Sequence, residues 1–174
     1  MKKFLIVFIV LFWFVSVASA GKLITGAFGI NLGEALDQSL VQDEIIDRVF
    51  YGGKTAGVRP KFPNRLFNEY RVILTPTTKI VVEINAYAHP KSCSESEYVG
   101  LEEILKGKYG KPLGKRYHKI WTDGTGRTIT YTCDNKYSEI YTVTISYKGS
   151  TKETVKIVKE RKKLIIEASD PSGL

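Results

Sequence analysis

The stretch RTITYTCDNKYSEIYTVTISY, residues 127–147, decides the fold class because two alternating sets of side chains run through both of its halves. One set is mainly apolar, and the other is mainly threonine and serine. This period of two residues is typical of β-strands that bury one face and turn the other towards water. We predict strands at about 127–133 and 139–147, with the following side chains facing a core: Ile129, Tyr131, Cys133, Tyr141, Val143, Ile145 and Tyr147.

Three further segments have the character of strands. The turn sequence Asp-Gly-Thr-Gly at 123–126 joins the first strand to another that is predicted at about 116–122. Residues 69–74 and 79–88 are rich in β-branched side chains and flank a Thr-Pro-Thr-Thr turn, so they are predicted to form a hairpin. The sequence therefore predicts an antiparallel sheet of about five strands.

Helical signals lie on both sides of these strands. Ser94 and Glu97 fit a capping box, and Gly110 followed by Pro112 ends the pattern, which predicts a helix at about 95–109. Rough helical spacing of apolar residues from Leu36 to Phe50 predicts an earlier helix. A basic amphipathic helix is predicted at 151–168, either packed on the domain or in contact with membrane phosphates, and residues 169–174 are expected to fray.

These elements predict an α+β fold with helices packed on an antiparallel sheet and a C-terminal amphipathic helix. The length suits one domain over residues 21–168. It also permits two αβ halves, 21–90 and 91–150, followed by the helix at 151–168.

The first twenty residues are predicted to be a secretory signal peptide. Lys2 and Lys3 precede an apolar run at 4–15, and Ala-Ser-Ala at 18–20 supplies the small residues that signal peptidase requires. An uncleaved anchor is the alternative, although a bilayer span needs about 20 apolar residues. We expect cleavage after Ala20, a periplasmic or secreted mature protein, and no transmembrane segment in the mature chain.

The two cysteines, Cys93 and Cys133, are predicted to form a disulfide because export favours oxidation of an even pair. Closing the loop between them should stabilise the fold by about 3–4 kcal/mol on the chain-entropy model. No metal or cofactor is expected, because a metal site would have only His89 and His118 to add to the cysteines.

The charge is basic, at +8 for the 174 residues. In a bacterial envelope, such a charge steers a protein towards anionic lipid head groups, acidic glycans or acidic proteins, or it simply maintains solubility. Nucleic acid is not an expected partner, because no nucleic-acid-binding motif is present.

Catalytic signals are weak. A nucleophile needs a neighbouring base, and only His118 has an acid near it in sequence, Asp123, without a Gly-x-Ser-x-Gly elbow. We therefore predict that the protein is not an enzyme, with a small envelope hydrolase that uses His118 as the alternative.

Four side chains are candidates for a binding surface: Tyr87, Tyr117, Trp121 and Arg127. Aromatic residues and arginine are favoured at the centres of interfaces, although Tyr117 and Trp121 fit a core equally well. Tyr87→Ala or Arg127→Ala is expected to abolish binding and to leave thermal stability unchanged. The threonine face fits a regular glycan or ice surface, but threonine is also a common strand residue at a solvated face.

Several short motifs resemble those of small exported bacterial proteins of uncharacterised function. They are Phe28-Gly29-Ile30-x-Leu32-Gly33, Tyr70-x-Val72-x-Leu74-Thr75-Pro76, Leu105-x-x-Lys108-Tyr109-Gly110-Lys111, the two cysteines, and Ser172-Gly173-Leu174. The chain is also distantly similar to the helix-plus-sheet modules of the β-lactamase inhibitory protein and of BamE-type assembly lipoproteins. It lacks the lipidation cysteine of the latter and differs in disulfides from the former. The resemblance implies an α+β fold and a binding role.

The sequence thus predicts an exported, non-catalytic binding module of the bacterial envelope. Its expected partner is another envelope protein, as for an inhibitor, immunity or assembly factor. Binding of lipid or lipopolysaccharide through the basic C-terminal helix is a further alternative.

Overall fold

A computed structural model describes residues 22–43, 46–47, 52–137 and 140–169. The predicted signal peptide and the predicted frayed tail lie outside this part of the chain, apart from Ser169. Both remain predictions.

The described chain has an α+β fold dominated by one large antiparallel sheet, which confirms the predicted class. The strands are β1 (Gly26–Ala27), β2 (Ile30–Asn31), β3 (Ile46–Asp47), β4 (Lys54–Gly57), β5 (Glu69–Leu74), β6 (Val81–Ala88), β7 (Leu113–Lys115), β8 (His118–Thr122), β9 (Thr128–Tyr137) and β10 (Ile140–Lys148). Eight of them form the large sheet in the order β3-β4-β5-β6-β10-β9-β8-β7, so two meanders meet where β6 pairs with β10. The predicted number of about five was too low, because short strands at both edges and a separate two-stranded sheet, β1–β2, were not foreseen.

The helix that was expected from Leu36 to Phe50 is absent from the described part of that segment. Only a short 3-10 helix, Gln38–Leu40, forms there, and β3 follows it. The Leu36 amide donates to the Lys79 carbonyl at 3.0 Å, and the Arg59 amide donates to the Leu40 carbonyl at 2.8 Å. The backbone therefore bonds to other segments instead of to itself, and Leu36 and Leu40 still reach the core.

Helix α1 spans Ser96–Tyr109 and ends at Gly110, as predicted. Gly110 has φ of 84°, which favours glycine, and its amide donates to the Lys106 carbonyl at 2.9 Å. The expected capping box is wrong, because the residue that flanks the helix start is Glu95 and makes no side-chain cap. Instead, the Glu95 carboxylate accepts hydrogen bonds from the amides of Lys91 and Ser92, at 2.8 and 3.1 Å.

The core lies on one face of the large sheet. The apolar set of β9 and β10 is confirmed there, with Ile129 and Ile145 fully buried. The N-terminal segment covers one part of this face, where the Phe28 ring lies edge-on to Tyr70 and Tyr147, with centroids 5.0 and 5.8 Å apart. Helix α1 covers another part with Tyr98, Leu101 and Leu105.

The predicted disulfide between Cys93 and Cys133 is present, with the Cα atoms 5.9 Å apart. Cys93 precedes α1 and Cys133 lies in β9, so the bond joins a helix start to the sheet across 40 residues.

Helix α2, Thr151–Ser169, buries side chains against the domain in its first half, and the exposed Arg161 of its second half lies against Gly52. Ile157 is buried, and Glu160 reaches the turn between β5 and β6. The Glu160 carboxylate accepts hydrogen bonds from the amides of Thr77 and Thr78, at 2.7 and 3.1 Å, and from the Thr78 hydroxyl at 2.5 Å. Burial alone would raise the pKa of Glu160, but these hydrogen bonds outweigh it and lower the pKa.

Glu160→Ala should lower the free energy of unfolding by about 1 kcal/mol, because it removes charge-assisted hydrogen bonds at a partly exposed site. Glu167→Ala is the matched control, since Glu167 lies on the same helix and makes only an exposed pair with Lys163 at 3.6 Å. That control should change stability by less than about 0.5 kcal/mol. Urea denaturation measures both values, and equal losses would contradict the role assigned to Glu160.

Candidate binding surface

The large sheet has a second face, opposite the core, that we name the polar face. Residues paired directly across neighbouring strands point to the same side of a sheet. The register therefore places two rows on this face, which contain hydroxyl, amide, charged and aromatic groups and one isoleucine. One row is Glu69, Tyr87, Thr144, Thr132 and His118, and the next is Arg71, Asn85, Ser146, Thr130 and Ile120.

The polar face is wide enough for a macromolecular ligand. Each row crosses five strands, which at about 4.8 Å between strands gives a width of roughly 19 Å. The hydroxyl side chains of β9 and β10 are half-buried on it, and the apolar set of the same strands is in the core. This arrangement is typical of an antiparallel sheet with one face open to solvent.

A cavity of about 480 Å³ opens at the β5–β6 end of the polar face. Tyr87 lines it from β6, directly across from Glu69 on β5, which forms an ion pair with Arg71. The cavity is lined by Thr55, Glu69, Arg71, Ile73, Asn85, Tyr87 and His89. A second cavity of about 380 Å³ shares Glu69 and Arg71 and extends to Arg59 and Asp43, so charged groups of both signs border this end of the face.

Hydrogen bonds and an ion pair fix the positions of several side chains on the polar face. The Glu83 carboxylate accepts from the Asn85 amide at 3.0 Å and from the Ser146 hydroxyl at 3.1 Å. Arg71 and Glu69 form an ion pair along β5. The bonded groups cross from β6 to β10, and such fixed side chains lose little conformational freedom when a ligand binds.

Tyr117 and Trp121 occupy different surroundings from Tyr87. Trp121 is 2% exposed, and its indole Nε1 donates to the Gly110 carbonyl at 2.9 Å, so it packs in the core below the end of α1. Tyr117 is exposed next to Arg116, whose guanidinium lies 5.1 Å from the ring centroid. Tyr117 lines a small cavity beside the disulfide, and the structure does not bring it together with Tyr87.

Arg127 is held inside the domain. Its guanidinium forms an ion pair with Glu153 at 2.5 Å and donates to the carbonyls of Ile24 and Leu32, at 2.9 and 3.1 Å. Gly33 leaves room for this pair, because a Cβ there would lie 2.4 Å from a Glu153 oxygen. Because the side chain links three parts of the chain, the structure favours a loss of stability in Arg127→Ala, in contrast to the expectation from sequence.

His118 and Asp123 are not brought together. His118 begins β8 on the polar face, and Asp123 follows its end, about 16 Å away along the strand direction. The Asp123 carboxylate accepts from the amides of Ile24, Thr125 and Arg127 at 2.8, 2.8 and 3.1 Å. Burial alone would raise the pKa of Asp123, but hydrogen bonds outweigh it and lower the pKa, which suits a structural carboxylate.

The described ranges offer little metal or acid–base chemistry. They contain no group of three or more His, Cys, Asp or Glu side chains that could hold a metal ion. Burial, aided by the charge of Glu102, raises the pKa of Tyr131 to about 12, so this phenol is neutral at ordinary pH. No helix within the described residues has the length and apolar character needed to cross a membrane.

The sequence predicted Tyr87 as a candidate but not most of the residues that line the cavity with it. Glu69, Arg71 and Asn85 alternate with buried residues in β5 and β6, and this alternation was visible in the sequence. The alternation does not reveal the register that pairs Asn85 with Ser146 of β10, 61 positions later. Both side chains donate hydrogen bonds to the Glu83 carboxylate.

No protein-family model matches this chain, and searches of curated proteins and of solved structures return no match either.

Proposed function

We propose that this protein is an exported, non-catalytic binding module of the bacterial envelope, and that its polar face docks on a protein partner. The observation that carries the proposal is the cavity on strands β5 and β6, near the middle of the large sheet, where Tyr87 lies beside His89 and the ion pair of Glu69 with Arg71. Aromatic residues and arginine supply much of the binding energy at protein interfaces. An inhibitor, an immunity factor or an assembly factor would use such a surface.

Two further observations support this proposal. The disulfide between Cys93 and Cys133 suits an oxidising compartment outside the cytoplasm. The Glu83 hydrogen bonds and the Glu69–Arg71 pair fix the side chains around the cavity before a partner arrives, which lowers the entropic cost of association.

Tyr87→Ala should weaken partner binding about 30-fold or more, as expected for a central aromatic residue worth about 2 kcal/mol. Tyr117→Ala is the matched control, because it removes the same side chain from a different surface. Its effect on affinity should stay within about threefold. Titration of the isolated partner measures both affinities, and a melting curve for each variant verifies folding.

The partner can be obtained by photo-crosslinking in the host. A photoreactive amino acid at Thr144, in the middle of the polar face, should give one discrete protein adduct. The same amino acid at Glu103, an exposed residue of α1, should not give that adduct. The proposal fails if the adduct forms only at Glu103, if neither position gives one, or if Tyr117→Ala alone weakens binding.

A further inference from the structure

Beyond Glu160, helix α2 continues without burying another side chain. Residues 161–169 are all exposed and remain helical to Ser169. We name residues 158–169 the helix tip. Three of its large apolar side chains are mostly exposed: Val158 by 63%, Ile165 by 59% and Ile166 by 57%.

These apolar side chains form a stripe together with the aliphatic parts of an arginine and a lysine side chain. Val158, Ile165 and Ile166 line a shallow depression that also includes the side chains of Arg161 and Lys162. The aliphatic parts of arginine and lysine can lie along apolar surface while their charged ends reach water or a phosphate. The stripe therefore offers apolar contact in the middle and positive charge beside it.

A second stripe of lysines lies next to the apolar one. At 3.6 residues per turn, Lys152, Lys156, Lys159 and Lys163 follow one line along the helix. All four are exposed. The helix therefore presents an apolar stripe and a basic stripe side by side, as interfacial helices do.

The acidic residues of α2 do little to offset this charge. Glu153 is paired with Arg127 inside the domain, and Glu160 is bonded to the turn at Thr77 and Thr78. Only Glu167 lies among the exposed cations, 3.6 Å from Lys163. The carboxylates of the first half are directed to the domain, and the exposed surface of the helix is left strongly positive.

We propose that the helix tip binds the surface of an anionic phospholipid bilayer. Val158, Ile165 and Ile166 enter the boundary of the acyl chains, and the neighbouring lysines contact lipid phosphates. This surface is separate from the polar face, and the inference does not depend on the proposed function.

The charge pattern favours a lipid surface over a second copy of the chain. Two copies packed along the same apolar stripe would bring Arg161 and Lys162 towards their counterparts, and like charges at an interface are unfavourable. An anionic bilayer instead attracts each cation near its surface by about 1 kcal/mol. Docking on lipid thus uses both the apolar and the basic stripes.

Vesicle sedimentation tests the proposal. The protein is purified from its host in the form that the host produces, and mass spectrometry establishes its N-terminus. Binding to vesicles that contain phosphatidylglycerol should exceed binding to phosphatidylcholine vesicles. Lys159→Gln with Lys163→Gln should lower the partition coefficient about 25-fold, at about fivefold per lysine. Val158→Gln with Ile165→Gln should lower it at least about tenfold.

Lys111→Gln with Lys115→Gln is the matched control, because it removes the same charge from exposed positions outside α2. It should change partitioning by less than about twofold. All comparisons are between variants that share one N-terminal sequence, so residues 1–20 contribute equally if they are retained. Circular dichroism and melting curves verify folding, which the exposed positions should preserve.

Four outcomes would overturn the proposal. The first is that the control variant loses as much binding as the helix-tip variants. The second is that binding does not depend on anionic lipid. The third is a dimer in solution that dissociates when Val158→Gln and Ile165→Gln are introduced together. The fourth is that a photoreactive group at Ile165 captures an envelope protein and no lipid.

Discussion

Arg127→Met should lower the free energy of unfolding by about 3–5 kcal/mol, because it leaves the buried Glu153 carboxylate without its partner. The substitution keeps most of the side-chain volume, so the loss reports the charge and the hydrogen bonds to Ile24 and Leu32. Chemical denaturation of the oxidised protein measures it. Lys61→Met is the control, because Lys61 pairs with Asp37 at 3.2 Å on the surface and should contribute less than about 1 kcal/mol.

A double-mutant cycle separates the charge effect from general damage. Adding Glu153→Gln to Arg127→Met should restore part of the lost stability, because the neutral amide is less costly to bury than an unpaired carboxylate. Glutamine also keeps an oxygen for the Ser150 amide, which bonds to Glu153 at 2.6 Å. Additive losses in the cycle would show that Arg127 and Glu153 do not act as a pair.

The same pair gives stability a defined dependence on pH. Burial alone would raise the pKa of Glu153, but the hydrogen bonds from Arg127 and Ser150 outweigh it and hold the pKa below its ordinary value of 4.5. A carboxyl whose pKa falls on folding stabilises the protein above its unfolded pKa and loses that effect as pH falls through the folded pKa. Stability should therefore decline below about pH 4.5, and more shallowly in Glu153→Gln.

Removing the disulfide is the second large perturbation. Cys93→Ala with Cys133→Ala should lower the free energy of unfolding by about 3–4 kcal/mol, because the unfolded chain regains the freedom of a 40-residue loop. Alanine is preferred to serine because both positions are buried.

Reduction provides the internal comparison for this prediction. A reductant should lower the stability of the parent protein to about that of the double variant and leave the variant unchanged. Mass spectrometry before and after reduction counts the thiols. Two free thiols in protein purified without reductant would contradict the assignment.

Local sequence signals sufficed wherever one segment determined its own structure. The alternation in β9 and β10 identified a buried face that includes Ile129 and Ile145, and Gly110 marked the end of α1. The predicted capping box is wrong because the Glu95 carboxylate accepts hydrogen bonds from amides that precede the helix. These bonds depend on the conformation of the loop before α1, which the local pattern does not specify. The expected helix near Leu36 failed because that backbone bonds to remote segments.

The candidate binding surface depended on register, which single strands do not encode. Tyr87 was recognisable as an aromatic residue on the polar side of a strand, but its neighbours follow from the pairing of β5, β6 and β10. Arg127 resembled an interface residue in sequence. Its partner Glu153, 26 positions later, and the two carbonyls near the start of the described chain make it structural instead.

The links around Arg127 also constrain when the domain can fold. The guanidinium bonds to carbonyls 103 and 95 positions earlier, and Asp123 bonds to an amide 99 positions earlier. Contacts of such high sequence separation require the closure of long loops, and the entropy lost in that closure precedes any stabilisation by the contact. Folding is slower for this reason. A chain that emerges vectorially from its N-terminus has no Arg127 or Glu153 to hold residues 22–33 until most of its length is available. We therefore expect these links to form late, whereas the contact of Phe28 with Tyr70 can form as soon as residue 70 is available. The complete domain depends on the C-terminal helix, which is the last element to be made.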